Sequence, residues 1–267
     1  MLLHYAYNSL TSYKLEIMVI MVIEISDFMS RVEASQYTIF TQKFHSSVAK
    51  TLSKYCAVIK RKDNNNYITT FTSVTDAIQC ALDVQYKFKY VTPKHKSFSR
   101  KLNIAIVHAS NYNDNSVKNC IRFCENVKDQ LVITSKIKEQ YESVNAHAEI
   151  DKSLIRTLKQ NEETFFTQFM DYLESNWQND RLNISKITKA LKLTYAQLYW
   201  RLNKLTGSTP QRFIKDYRLH KAMLLLHKHH GNIAQVAKQT GFKSTTHFSD
   251  SFLKTYGIRP SKYVQQH

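Results

Sequence analysis

Glycine is almost missing from this chain: 267 residues contain four, Gly207, Gly231, Gly241 and Gly257, all in the last third. A phosphate-cradling GxxxxGKS/T loop and a GxGxxG dinucleotide turn both need glycines for close backbone approach, so the first 206 residues can build neither. Cysteine is sparse too. Cys56, Cys80, Cys120 and Cys124 form no CxxC pair, which speaks against a zinc or disulfide framework. Cys120 and Cys124 share the spacing of metal ligands on a helix, but free cysteine packs as a small apolar residue, and a buried helix face is the simpler reading. No metal and no cofactor is expected. Long apolar runs are absent as well. Residues 17–23, IMVIMVI, are flanked by Glu16 and Glu24, whereas a membrane span needs ~20 apolar residues. The opening MLLHYAYNSLTSYK lacks a basic start before an apolar stretch and a small-residue cleavage site. A cytoplasmic protein without membrane contact is expected, with residues 17–23 inside a buried strand.

Acid is what the tail lacks. From Arg181 onward sixteen Lys/Arg face only Asp216 and Asp250, a net charge of +14, while the first 180 residues carry +3. A nearly neutral two thirds followed by a polycation points to phosphates or an acidic surface as partner. The length suits two domains of ~100–200 residues.

The first part alternates strand and helix signals. A strand over ~15–25 precedes a helix over ~33–54, where Phe40, Phe44, Val48 and Leu52 recur every four residues. Segments 56–59 and 67–71 flank Lys-Asp-Asn-Asn-Asn, a turn composition, and predict a hairpin. Ser73, with Asp76 three residues on, caps a further helix. A strand over 102–107, a helix over 117–127 and a strand over 131–134 follow. The order predicts an α+β domain over 1–145 with helices against an antiparallel sheet. Residues 146–163 are polar and weakly patterned and read as a linker.

Residues 164–267 look all-helical, and they repeat. Ile184, Ile187, Ala190 and Leu191 precede a turn and the stripe Leu198, Leu202, Leu205; about fifty residues on, Ile233, Val236 and Ala237 precede a turn and Phe248, Phe252, Tyr256. Each copy is a short helix, a turn and a second helix, so helix-turn-helix units are expected at about 183–205 and 232–256. Between them Thr209-Pro210 caps a breaker-free helix that would extend ~28 Å. A plain helical bundle explains the stripes equally well, but not the charge. With the leucines inward, Tyr195, Ala196, Tyr199, Trp200 and Asn203 fall on other faces; in the second copy Thr245, Thr246, His247, Ser249 and Asp250 do. Recognition helices present such N-terminal residues to base edges. The first set is aromatic and the second hydroxyl-rich, so the copies should read different half-sites. Packing of Tyr199 or Trp200 on the long helix is the alternative.

The tail contains Ile233-Ala-x-Val236-Ala237-x-x-x-Gly241-Phe242-x-Ser244, then Phe248-Ser249-x-x-Phe252 and Gly257-x-x-Pro260-Ser-x-Tyr263. In these motifs it resembles the AraC-type DNA-binding domain of bacterial transcription regulators. Around the first unit, Leu205-Thr-Gly207-x-x-Pro210-x-x-Phe213-Ile214 and Arg218-Leu219 match as well. The resemblance implies seven helices, two helix-turn-helix units joined by a long helix, and duplex DNA as partner. Carried over by position, it puts base contacts on Ala196, Tyr199, Trp200, Thr245, Thr246, His247 and Asp250. Phosphate-contacting candidates are Arg201, Lys204, Lys243 and Ser244. Lys192 stands where the family's first turn often has glycine, and Trp200 and Asp250 replace frequent arginines.

The N-terminal part resembles a class III nucleotide cyclase domain, on Ile23-Glu-Ile-Ser-Asp-Phe28, Asn64-Asn-Asn-Tyr-Ile-Thr-Thr-Phe71, Asp76-Ala77 with Cys80, Ile104-Ala-Ile, and Val117 with Arg122. That resemblance implies a ferredoxin-like, cyclase-type sheet with helices and a site shared between two subunits. Its chemistry needs two metal-binding aspartates, and this chain has Glu24 and Asn65 there. Asn65 lacks the charge that hard cations favour. Lys118 replaces the transition-state asparagine, Arg122 matches, and Arg61 falls where a base-selecting lysine often sits. The five residues are read as a vestigial nucleotide site, or as a solvated basic face in the case of Arg61, Lys118 and Arg122. The expectation is a non-enzymatic homodimeric regulator whose first domain dimerises or senses a small-molecule or nucleotide effector. The alternative is an active cyclase with a DNA-binding tail.

Overall fold

The computed structural model describes residues 18–25, 34–63, 65–91, 102–129, 131–146 and 148–266, with side chains 34–41 and 90–91 outside that description. Phe40, residues 26–28 and residue 64, which carry part of the sequence patterns above, therefore lie outside it. The chain forms two compact units divided near residue 158.

The N-terminal unit is a mixed sheet with helices. Its elements run β1 (Met18–Ile25), α1 (Ala34–Lys54), β2 (Val58–Lys62), β3 (Asn66–Phe71), α2 (Val74–Val91), β4 (Leu102–Ala109), α3 (Asp114–Asn126), β5 (Leu131–Thr134), α4 (Ser135–Val144) and β6 (Arg156–Leu158). The strands lie in the order β2-β3-β1-β4-β5-β6. β1 is central and antiparallel to both neighbours, with Ile20 opposite Thr70 and Val107. Burial on both faces explains its unbroken apolar run: residues 19–23 are at most 1% exposed. Phe44, Val48 and Leu52 bury the inner stripe of α1, and Phe44 meets Tyr67 of β3 edge-on. Cys120 and Cys124 are buried on α3, their thiols donating to the carbonyls of Ala105 and Asn103 at 3.3 Å. Burial pushes the Cys120 thiol up to about 12, as suits a packing residue.

Two sequence expectations need correction, and one helix carries no sequence signal. The sheet is not purely antiparallel, because β4 and β5 pair in parallel, with Ile104 opposite Leu131. The segment expected as a linker, 146–163, contains β6 and the first turn of α5 (Gln160–Asn176). α4 was not expected at all; it buries little beyond Ile137, so no apolar stripe announces it.

Seven helices make up the C-terminal unit among the described residues: α5, then α6 (Ile184–Leu191), α7 (Tyr195–Thr206), α8 (Pro210–His227), α9 (Ile233–Gln239), α10 (Thr245–Tyr256) and α11 (Pro260–Gln266). The first half of α8 takes Phe213 into the aromatic cluster of Phe166 and Phe169, at 6.3 and 5.4 Å between ring centroids. Its second half shares a core with the later helices, where Leu219, Met223 and Leu226 bury against Val236, Phe242, Phe248, Phe252 and Tyr263.

Candidate nucleic-acid interface

The two copies begin and end alike, and local chemistry explains why. Asn183 and Asn232 cap α6 and α9, their side chains accepting from the N–H groups of Lys186 and Gln235. Thr194 and Gln197 form a reciprocal capping box at the start of α7, at 3.2 and 2.9 Å. Ser244 caps α10 by accepting from His247 N–H at 3.3 Å, which leaves its hydroxyl proton to donate. α7 and α10 both end on a left-handed glycine, Gly207 (φ 71°) and Gly257 (φ 73°). The inter-helix turns also need a left-handed residue. Gly241 supplies it in the second copy at φ 76°, and Lys192 in the first at φ 53°, ψ 45°. That accounts for the preference for glycine at the latter site.

α7 buries Leu198, Leu202 and Leu205 and turns Ala196 outward with Tyr195 and Trp200, which are 51% and 69% exposed. Tyr199 is half-buried, its ring 6.3 Å from Tyr195 and 5.8 Å from Trp200, so the three aromatics form one continuous surface. Tyr195 is steadied at its hydroxyl, which accepts from Gln211 Nε2 of α8 at 3.3 Å. Trp200, Arg201, Asn203 and Lys204 line an open concavity of about 410 Å³. Of the phosphate candidates here, Arg201 lies over the Phe165 ring at 5.6 Å and Lys204 pairs with Glu162 at 2.8 Å. Both side chains are exposed, yet α5 steers both.

α10 buries Phe248 and Phe252 and exposes Thr245, Thr246, His247 and Asp250, with Lys243 just before it. The His247 ring leans on Phe242 at 5.8 Å. Sequence reasoning missed Arg218 as a positioning residue. Its guanidinium donates to the carbonyls of Trp177 (2.8 Å) and Asn179 (2.7 Å), tying α8 to the end of α5 beside the Gly241 turn. In the sequence it is marked only as part of the matched pair Arg218-Leu219.

In the N-terminal unit, Asn65 lies next to the end of β1 by its backbone, where Ile25 N–H donates to the Asn65 carbonyl at 2.9 Å, while Glu24 is registered opposite Asn66. Glu24 faces Asn66 and Asn103 across the strands, and among the described residues buried Asn66 Oδ1 has no hydrogen-bond partner. Desolvation, with repulsion from Glu125, raises the Glu24 carboxyl to about 8. The basic residues do not form a common solvated face. Arg122 is only 3% exposed and donates to Asn119 Oδ1 at 3.1 Å, whereas Lys118 one turn earlier is exposed. Arg61 lies on the exposed edge strand β2, paired with Asp63 at 3.2 Å. It is two strands removed from β1, in line with Ile68 and Val22.

Residues 187–266 match the family model described as a helix-turn-helix domain. The HTH-type transcriptional regulator MtrA of Neisseria gonorrhoeae is 37% identical over 87 residues, 33% of this chain and 29% of MtrA. The HTH-type transcriptional activator RhaS of Escherichia coli O139:H28 is 28% identical over 109 residues, 41% of this chain and 39% of RhaS. Among solved structures, the C-terminal domain of the two-component response regulator YesN from Fusobacterium nucleatum matches at 25% identity. It covers 39% of this chain and 99% of that one, with a TM-score of 0.36. The matched segment thus spans well under half of MtrA and of RhaS. Residues 187–266 of the C-terminal unit thus carry a helix-turn-helix domain. Among the described residues, no helix is long and apolar enough to cross a membrane.

Proposed function

We propose that this protein is a cytoplasmic, sequence-specific DNA-binding transcription regulator, with α7 and α10 reading successive major-groove segments of one duplex. One observation carries the reading: a duplicated helix-turn-helix whose second helices expose aromatic and hydroxyl-bearing surfaces, within a segment of net charge +14. α8 has 18 residues, about 27 Å at 1.5 Å per residue, a spacer comparable to the ~34 Å between major-groove segments on one DNA face. Ala196, Tyr199, Trp200, Thr245, Thr246, His247 and Asp250 are the base-reading set; Lys243 and Ser244, with Arg201 and Lys204 at the margin, meet phosphates.

The N-terminal unit is a catalytically inactive, cyclase-like domain that dimerises the chain or senses an effector. The order β2-β3-β1-β4, antiparallel throughout and connected βαββαβ, supports a ferredoxin-like core. Where the resemblance expects two metal-binding carboxylates, this chain has Glu24 and an amide, Asn65, which lacks the charge that hard cations favour. Incubating the full-length protein with ATP or GTP and magnesium or manganese should yield no cyclic nucleotide, and Asn65→Asp should not rescue turnover while Lys118 remains. Sedimentation should give a dimer, which adds avidity to half-site binding. Metal-dependent production of cyclic AMP or GMP, or a monomer at micromolar concentration, contradicts this part of the reading.

A further inference from the structure

Asp250 stands out electrostatically. It is one of two acids among the last 87 residues, against sixteen bases. The other acid, Asp216, is compensated on its own helix by Arg212 at 3.4 Å. Asp250 is exposed one turn beyond Thr246 on the outward face of α10, and among the described residues it has no ion-pair partner. A carboxylate carried towards a duplex meets phosphate charge of its own sign, so taken alone this residue opposes binding.

That opposition is relieved only where a donor meets the carboxylate. In the major groove the donors are the N4 amine of cytosine and the N6 amine of adenine, while guanine and thymine offer acceptors. Adenine also presents N7, an acceptor that repels the second carboxylate oxygen; cytosine presents its amine without one. The neighbouring side chains are poor substitutes. Ser244 accepts from His247 N–H as a cap, His247 leans on Phe242, and the hydroxyls of Thr245 and Thr246 can donate or accept, so none of them selects an amine donor as a pure acceptor does. Resting on the DNA-binding reading above, we propose that Asp250 is a specificity-determining residue. It accepts from the N4 amine of one cytosine in the half-site read by α10 and rejects other bases there by repulsion. Specificity obtained through a repulsive element has a distinctive signature: removing it loosens discrimination while improving binding to the wrong sequences.

The test starts by selecting duplexes from a randomised pool with full-length wild-type protein. Each base of the selected site is then substituted in turn and its affinity measured. One cytosine should cost about 5- to 150-fold when replaced. A 2-pyrimidinone at that position, which lacks only the amine, should cost as much. Asp250→Ala should erase that one dependence, leave the other positions unchanged, and bind random duplex as tightly as the wild type or more so. Asp250→Asn should move the preference at that position to adenine, which an amide reads bidentately. Far-UV circular dichroism verifies that these exposed-site variants fold. If the selected site is bound but Asp250→Ala loses affinity equally on every sequence, or leaves the cytosine dependence intact, the assignment is wrong and DNA binding stands. If no duplex is retained by the wild type, the DNA-binding reading fails with it.

Discussion

Replacing Gly241 with alanine places a methyl carbon in an occupied turn. A Cβ there would lie 2.8 Å from the Trp177 carbonyl oxygen and 2.9 Å from both Cζ and Nε of Arg218. The backbone at φ 76° adds the left-handed penalty of an L-residue, on the order of 1–2 kcal/mol. The backbone oxygen cannot swing aside, so Arg218 must. That breaks its bonds to Trp177 and Asn179, each a hydrogen bond to a charged group and worth about 1.5–3 kcal/mol. Allowing for partial recovery by water, Gly241→Ala should destabilise the C-terminal unit by about 3–5 kcal/mol. The chain has two tryptophans, Trp177 and Trp200, both in that unit. Tryptophan fluorescence during urea unfolding therefore reads its stability alone. Lys192→Gly is the counter-experiment, since the same left-handed geometry already carries a side chain there; it should change stability by no more than about 1 kcal/mol, in the stabilising direction. A Gly241→Ala variant within ~0.5 kcal/mol of wild type, the range of an ordinary surface change, would show that the Arg218 clamp does not hold the second unit.

Trp200→Ala and Thr246→Ala should each cost about 1–3 kcal/mol on the selected site and little on random duplex, measured by fluorescence anisotropy; equal losses on both would show that neither side chain reads bases. Glu24 sets a pH dependence in the N-terminal unit. Its folded pKa of about 8 lies above the unfolded value of 4.5, so the native state binds the extra proton between the two. Stability is thus greatest below the unfolded value and is lost as pH rises through the folded one, at up to about 1.4 kcal/mol per pH unit. Glu24→Gln should flatten that slope and leave the variant more stable than wild type near pH 8, as urea unfolding followed by far-UV circular dichroism would show; an unchanged slope contradicts the burial argument.

Much of the fold is legible where one interaction dominates. The unbroken run of β1 signals burial on both faces, and Ser73 with Asp76 and Thr209 with Pro210 announce helix starts whose caps the structure contains. The parallel pairing of β4 with β5 is invisible locally, because the pattern of a buried strand does not encode direction. β6 is three residues long and α4 mostly polar, so neither breaks the composition of a linker. The outward faces of α7 and α10 follow from the positions of their buried stripes. The stacking of Arg201 on Phe165 and the clamp made by Arg218 do not, since each depends on a partner distant in sequence.

The most direct test of the central claim is the salt dependence of duplex binding by the full-length protein. With ~6–10 phosphate contacts, affinity should fall by about 10³–10⁵ between ~50 and ~200 mM salt, while the selected site stays preferred over random duplex. Absence of binding at the lower salt, or binding indifferent to salt and sequence, would contradict the account.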